Sequence, residues 1–454
     1  MVATLGQSHA QRPFPGQHPP TTAHVECRLH VGAQSKQAAR VHPKLVSVLG
    51  LFCFLGLAWV LSEGRRRFPW RAVLWGLGLQ VALAALILRT TGGRALLDGF
   101  QSGVSRFIGF AGKGNELVFG ALGQPSLLES KLGPGTGVVL AITVTGTIIL
   151  ISAVSSFLYH YGILQWVVRG MAWAMRRAMG TSGAETLSAA ANIFMGQTEA
   201  PLLIRPYLAR MTRSEIFAMM VGGMATIAGG VLAAYVSFGI DAGHLLTASV
   251  LSAPAGLLVA KVMVPETEVS ETAKGGTADI PRETVNGLDA LCHGAADGMK
   301  MSLNVVAMLL AFAAVIAAAN WLLSTGLGWA GLTVESPLQR GLGWLNAPFA
   351  WLMGVPWKDC EAVGALLGER IVLNEFVAYL RLRNLTDAID PRSKAVATYA
   401  LCGFANIGSI AMQIGGIGGL APGRRQDLAR LGLRSMLGGL LACYMTACIA
   451  GWFL

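Results

Sequence analysis

Charge is scarce in this chain: Asp, Glu, Lys and Arg together make up only 13% of its 454 residues. Soluble globular chains carry roughly 25%, so an ordinary water-facing surface around one core is excluded. The seven cysteines are an odd number with no C-x-x-C spacing, which supports neither a disulfide framework nor a cysteine metal site. Cys53, Cys402, Cys443 and Cys448 stand among apolar neighbours and read as small buried hydrophobes. There is no H-E-x-x-H, no nucleophile–base pair and no metal cluster, so the chain is not read as an enzyme. Gly222-Gly223, Gly229-Gly230 and the run Gly415-Gly416-Ile417-Gly418-Gly419 lack the G-x-G-x-x-G spacing and follow no strand. They read as close helix packing rather than phosphate loops. The ten-residue alternation of outer-membrane barrels is missing too, which leaves helices.

What the chain does have is apolar length. Hydrophobic residues make up 53% of it, and the mean hydropathy is +0.55. Leu, Ile, Val and Ala dominate windows long enough to span about 30 Å of hydrocarbon as a helix. The net charge of +11 sits in short clusters at the ends of apolar runs, such as Arg65-Arg66-Arg67 and Arg424-Arg425. That placement sets topology and does not point to nucleic acid.

Residues 1–44 are polar, rich in Pro and His, and without periodicity, and they read as a disordered tail. They hold no apolar stretch of signal-peptide type. The irregular spacing of His9, His18, His24, His30 and His42 argues against a metal tract. Spans are expected at Leu45–Ser62, Ala72–Leu88 and Val138–Tyr159, with interfacial amphipathic helices at Arg94–Phe119 and Gly162–Met179. Ala184–Leu208 is broken by Gly196, Pro201 and Pro206 and reads as a re-entrant hairpin followed by a broken helix. Spans at Ser214–Gly239 and Leu245–Val264 follow, then a charged linker, Pro265–Glu283. The second half repeats that layout: an amphipathic helix at Val285–Met299, a span at Ser302–Leu323, and a broken polar segment at Val355–Leu380. Spans at Ala395–Ile414 and Ser435–Leu454 end the chain. Polar, broken segments at corresponding places in two halves point to the binding site of a secondary transporter. The basic loops Gly64–Arg71 and Gly423–Arg434 are expected on the cytoplasmic side, which puts the C terminus outside.

Two polar islands carry the chemistry: Asn192–Glu199 (N-I-F-M-G-Q-T-E) and Asn374-Glu375. An ionisable group at membrane depth costs roughly 2.5–3.5 kcal/mol and so marks a functional site. Gly196 frees backbone and permits close approach, Asn192, Gln197 and Thr198 both donate and accept, and Glu199 accepts. A third segment, Gly403–Ser409, adds Asn406 and Ser409, with Phe404 available for an apolar ring face. Phe376 and Tyr379 are read as packing residues, and Thr226 as a hydroxyl that back-bonds in its helix or ligates a hard cation. No Lys or Arg sits in the three cores, which suits a neutral hydroxylated solute better than an anion.

Several motifs resemble the concentrative nucleoside transporter family, and the likeness runs from about residue 45 to the end. They are G-Q-T-E-A-P-L-L-I-R-P-Y-L (Gly196–Leu208), G-G-M-A-T-I-A-G (Gly222–Gly229), L-N-E-F-V-A-Y (Leu373–Tyr379) and A-L-C-G-F-A-N (Ala400–Asn406). G-G-I-G-G-L-A-P (Gly415–Pro422), followed by R-R-x-D-L-A-R-L-G (Arg424–Gly432), adds to the match. The resemblance implies an all-α polytopic membrane protein of about eight transmembrane helices, with two re-entrant hairpins, interfacial helices and inverted repeats. It implies a homotrimer in the inner (plasma) membrane, with a transport domain moving against a scaffold. Residues 45–130 would be scaffold, 131–264 and 284–454 the two transport repeats, and 265–283 the linker.

By the same resemblance, Gly196, Gln197, Thr198 and Glu199 would contact a nucleobase, with Val231 packed nearby. Glu375, Asn406 and Ser409 would hold ribose hydroxyls, with Phe404 beside the sugar and base. Sodium, the coupling ion, would take the Asn192 and Thr226 side chains and the Met195 and Ile227 carbonyls. Where many relatives read G-F-A-N-F-S-S, this chain has Ile407-Gly408-Ser409, so base preference is not inherited from the family. The expected function is nucleoside import by sodium symport, with no cofactor besides the ion. The alternatives are proton coupling through Glu199 or Glu375, an intramembrane enzyme using those two acids, and a passive channel.

Overall fold

The computed structural model describes residues 42–133, 139–273, 284–329, 331–385 and 388–454. The tail through residue 41, with His9, His18, His24 and His30, lies outside them, as do Val138 and linker residues 274–283.

Helix α1 spans Pro43–Val60, starting inside the segment read as tail, and α2 spans Trp70–Arg89. Helices α3 (Thr91–Phe119) and α4 (Pro125–Leu132) lead to α5 (Leu140–His160) and α6 (Ile163–Met179). Next come α7 (Gly183–Ala191), a non-helical turn, a 3-10 turn at Ala200–Ile204 and the short α8 (Arg205–Leu208). Two helices, α9 (Arg213–Ala225) and α10 (Gly229–Ser237), form one broken rod, followed by α11 (Ala242–Met263). The second half runs α12 (Gly287–Trp329), α13 (Pro337–Leu352), α14 (Trp357–Val372) and α15 (Glu375–Asn384). It closes with a second broken rod, α16 (Pro391–Leu401) and α17 (Ile407–Leu420), and then α18 (Arg425–Phe453).

From α5 and from α12 the element order is therefore the same. Each half has a long apolar helix, a shorter helix, a two-part polar segment, a broken rod and a final buried helix. Helix α5 packs along α12, and α9 packs against both α11 and α18. Helices α9, α11 and α18 form the buried centre, while α1, α2 and α12 present apolar side chains outward. On α12 these include Leu303, Leu310, Val315 and Trp321. Among the described residues, seven helical segments are long and apolar enough to cross a membrane, and Ile407–Leu420 is a shorter apolar helix.

Helix starts follow their sequences. Ser182 with Glu185, and Thr212 with Glu215, form capping boxes that satisfy the first amide groups of α7 and α9. Both glutamates are buried, and Lys261 at the end of α11 lies 2.6 Å from Glu185. The described part of the linker is anchored to these same caps. Ser270 donates to Glu215 at 2.5 Å, and Gly183 N donates to the Thr272 carbonyl at 3.0 Å.

Several expectations need correction. The amphipathic helix at Val285–Met299 and the span at Ser302–Leu323 are one continuous helix of 43 residues. Helix α13 was not foreseen. The spans expected at Ser214–Gly239 and Ala395–Ile414 are each interrupted, at 226–228 and 402–406. Gly423–Arg434 is no loop: most of it is the first turns of α18, whose Asp427 pairs with Arg424 at 3.2 Å. Cys53 is exposed, whereas Cys402, Cys443 and Cys448 are buried thiols as expected. Gly222 does serve close packing, since a Cβ on Gly256 would lie 3.4 Å from its Cα. Gly415 and Gly419 instead face open space.

Candidate functional site

Four interrupted segments open new helix starts toward one place. Glu199 precedes the 3-10 turn, Gly229 begins α10, Asn374 caps α15 and Asn406 caps α17. All four border a single cavity of about 510 Å³, within the roughly 300–1,000 Å³ usual for small-molecule sites. Helix N-termini carry unpaired amide groups and positive partial charge, so they favour acceptor-rich solutes and carboxylates.

The expected contact residues meet there. Gly196, Gln197, Thr198, Glu199, Val231, Glu375, Phe404 and Asn406 line the cavity, as does Met195. Ser409 does not line it but stands directly behind, bonded to Gln197 at 3.1 Å. Asn406 uses both ends of its amide: Oδ1 accepts the Ser409 amide at 2.8 Å, and Nδ2 donates to Glu375 at 2.9 Å. The other Glu375 oxygen accepts from Tyr235 at 3.0 Å. A continuous chain of hydrogen bonds thus runs Gln197–Ser409–Asn406–Glu375–Tyr235, from the first polar segment through both breaks of the second half. Asn374 spends its oxygen on capping α15, at 3.0 Å from Val377 N.

Glu199 folds back so that one oxygen accepts the Gly196 amide at 3.1 Å. Among the described residues it has no ion-pair partner. Thr198 rests on α17, where a Cβ on Gly416 would come within 2.7 Å of its methyl. Phe376 and Tyr379 do pack, edge-on and tilted against Tyr235 at centroid distances of 4.9 and 4.3 Å.

The expected cation ligands lie on touching segments. Asn192 ends α7 and Thr226 ends α9. The Asn192 amide nitrogen would stand 3.6 Å from a Cβ on Gly222, one turn before Thr226. Gly229 N donates to the Phe194 carbonyl at 3.1 Å, fastening 192–195 beside 226–229. Ile227 is fully buried. The Asn192 Oδ1 and, one turn earlier, the Ser188 Oγ are buried without a hydrogen-bond partner. Orphaned buried oxygens of this kind need an explanation, and a bound cation is one. Thr226 Oγ1 back-bonds to Gly222 at 2.9 Å, and its carbonyl accepts from Phe404 N at 3.3 Å. The two broken rods therefore touch at their breaks.

Some functional groups escaped sequence reasoning. Gln413 donates to Gln197 at 3.1 Å and to the Met220 carbonyl at 3.0 Å, fixing the rotamer of Gln197 from behind. A lone Gln within I-A-M-Q-I-G-G was the available signal. The wall facing Glu199 comes from α5 and α12: Ser152, Ser155, His293, Asp297, Lys300 and Asn304. Asp297 lies 3.0 Å from Lys300 and 3.2 Å from His293 on one face of α12.

The chain matches the models "Na+ dependent nucleoside transporter" N-terminus at residues 49–122 and C-terminus at residues 244–451. A "Nucleoside recognition" gate model matches residues 141–242. It is 42% identical over 416 residues to an uncharacterized transporter of Haemophilus influenzae, covering 90% of this chain and 98% of that one. It is 41% identical over 436 residues to rat sodium/nucleoside cotransporter 1, covering 92% of this chain and 65% of that one. For mouse solute carrier family 28 member 3 the identity is 40% and the match spans 58% of that protein's length. The structure of CNTnw in an inward-facing substrate-bound state superposes with a TM-score of 0.85 at 40% identity, covering 90% of this chain and 98% of that one. The relatives are transporters and not enzymes. On these grounds the chain is a multi-pass membrane protein that belongs to the concentrative, Na+-dependent nucleoside transporter family.

Proposed function

We propose that this protein imports nucleosides across the plasma membrane by symport with sodium. The observation that carries this reading is the hydrogen-bonded chain from Gln197 through Ser409 and Asn406 to Glu375, bordering one cavity. A nucleoside presents a base edge of mixed donors and acceptors and a ribose with adjacent hydroxyls. Gln197, Thr198 and Glu199 suit the base, with Gly196 allowing close approach and Val231 an apolar floor. Glu375 and Asn406 suit the hydroxyls, because a carboxylate accepts two hydrogen bonds while the amide both donates and accepts. Ser409 supports that pair, and Phe404 offers a ring face.

Sodium enters as co-substrate. The orphaned Asn192 oxygen, the Thr226 hydroxyl and the Met195 and Ile227 carbonyls form a neutral, hard oxygen set without a titratable proton, which suits an alkali cation. A bound cation would tie the turn after α7 to the break in α9–α10 and so order the residues that meet the base. Each ligand then raises the other's affinity by the same factor.

For the architecture we propose that α7 to α8 and α14–α15 are re-entrant hairpins and that α16–α17 acts as one broken crossing, an eighth. Residues 45–130 would belong to the scaffold, 131–264 and 284–454 would be inverted repeats, and three copies would assemble through the outward apolar faces. The transport repeats would then move against the scaffold.

Uptake of labelled uridine and adenosine into proteoliposomes tests the function. An inward sodium gradient at fixed pH should drive accumulation above equilibrium. Accumulation driven only by a proton gradient would replace sodium with the proton, and equilibration without accumulation would make the protein a channel. Indifference of the vesicles to both nucleosides would overturn the reading.

A further inference from the structure

The bulkiest fully buried side chain among the described residues is a charged one, Arg370, at 0% exposure. It lies in the last turn of α14, ahead of Asn374 and Glu375. Its Nη1 donates to the carbonyl of Ala400, and its guanidinium carbon stands 5.9 Å from the ring centroid of Tyr444. Its Nε and Nη2 have no acceptor. A guanidinium buried this deeply with so few hydrogen bonds is costly.

The role of Arg370 follows from where Ala400 sits. Helix α16 ends at Leu401, so its last carbonyls have no intrahelical donors and carry negative partial charge. Arg370 reaches across from α14 and supplies both a donor and a positive charge to that break. Glu375 opens the next helix, and its own bonds go to the neutral groups of Tyr235 and Asn406.

The corresponding place in the first half is built the other way. There α7 ends at Asn192 opposite the end of α9 at Thr226, and among the described residues no cationic side chain hydrogen-bonds to either. Instead the Asn192 and Ser188 oxygens stand buried and unpartnered. The charges of the two halves differ to match. Glu185 is paired with Lys261 at 2.6 Å, and Glu369 with Arg381 at 2.5 Å. At the cavity, Glu199 has no ion-pair partner among the described residues, whereas Glu375 follows the buried Arg370 along the same segment.

We infer that Arg370 is a built-in cation, standing in the second half where the first half binds its coupling cation, and that it positions Glu375 and the α16–α17 break. This deepens the symport reading and rests on it. The second half would then be held in its binding geometry permanently, while the first half gains that geometry only with the ion. Arg370 acts through its neighbours and touches no substrate.

The test uses purified full-length protein in saturating sodium, with two readouts: melting temperature, and affinity for uridine and adenosine. Arg370→Ala should melt lower and bind nucleoside about tenfold more weakly, the low end of the loss when a group supporting a metal ligand is removed. Millimolar guanidinium chloride should restore both, and urea, its neutral counterpart in shape, should restore neither. Equal rescue by urea, rescue by neither, or a variant indistinguishable from the parent would each overturn the inference. If Arg370→Ala does not fold, Arg370→Lys and Arg370→Met decide: the lysine should keep affinity and the methionine lose it. Equal behaviour of that pair would also overturn it. A parent protein that binds neither nucleoside would sink the symport reading alone, because the melting comparison still decides the role of Arg370.

Discussion

Gln197 donates to Ser409 at 3.1 Å across 212 residues of sequence, and this bond joins the two halves of the molecule at the site. Both side chains are buried, and the Gln197 amide nitrogen has Ser409 as its partner while its oxygen is held by Gln413. Replacing either one with Ala should weaken nucleoside binding, and the two losses should not add. Residues sharing one network couple by about 0.5–3 kcal/mol. A double-mutant cycle on uridine or adenosine affinity, using Gln197→Ala and Ser409→Ala, measures the coupling. A coupling indistinguishable from zero would mean that the two halves of the site act separately.

Glycine spacing supplies a matched pair of variants. A Cβ on Gly223 would stand 2.9 Å from both the Gln197 Cβ and the Gln413 Nε2, whereas a Cβ on Gly415 meets nothing within 4 Å. Gly223→Ala should displace Gln197 and lower affinity for nucleoside, and overpacking of this kind costs about 1–3 kcal/mol. Gly415→Ala should bind and transport as the parent does. Equal transport by the two would show that the Gln197–Gln413 contact tolerates movement and does not set the site.

The proposed cation ligands make a prediction about sodium that is separable from nucleoside. Asn192→Leu removes the buried oxygen that has no partner, and Thr226→Val removes a hydroxyl already bonded within its helix. The sodium concentration for half-maximal binding should rise with both variants, more for Asn192→Leu. At saturating sodium, nucleoside affinity should recover toward that of the parent. Measuring binding across a sodium titration checks this, and unchanged sodium dependence in Asn192→Leu would remove that residue from the ion site.

Much of the site was legible because polar residues in apolar runs are conspicuous and have few uses at membrane depth. Gln197, Glu199, Glu375 and Asn406 announced themselves this way, and the cavity gathers all four. Tyr235 and Gln413 did not: their partners, Glu375 and Gln197, are remote in sequence, and an isolated Tyr or Gln is ambiguous locally. The interruptions at 226–228 and 402–406 contain no proline, so a hydropathy window runs straight through them. What ends those helices is tertiary, including the bond from Phe404 N to the Thr226 carbonyl. The 43-residue α12 was divided because Val285–Met299 reads as amphipathic ahead of the apolar run from Ser302. Within it Asp297 contacts both His293 and Lys300, and all three border the cavity. Arg370 sits in α14, within Val355–Leu380, where a hydrophilic residue beside Glu369 suggests a solvated turn, and its burial depends on contacts with Ala400 and Tyr444.

Stability depends on a buried ion pair that does not line the cavity. Lys261 lies 2.6 Å from Glu185 and donates to Ser214 at 2.9 Å, and both charged side chains are almost wholly buried. Removing one member strands the other charge in a dry interior, which costs about 3–5 kcal/mol. Removing both members at once takes the stranded charge away. Lys261→Met alone should therefore lower the melting temperature sharply, and Lys261→Met with Glu185→Gln should recover much of the loss. Glu266, 3.4 Å from Lys261 but partly exposed, is wet enough to contribute little, so Glu266→Gln should be nearly silent. The double variant keeps the capping geometry of α7, because the amide oxygen of Gln still accepts from Ser182 N as Glu185 does at 2.8 Å. Melting curves of the parent and the three variants in the same detergent settle the matter. A double variant no more stable than Lys261→Met would mean that the pair holds α7, α9 and α11 together through its own bonds rather than by avoiding a stranded charge.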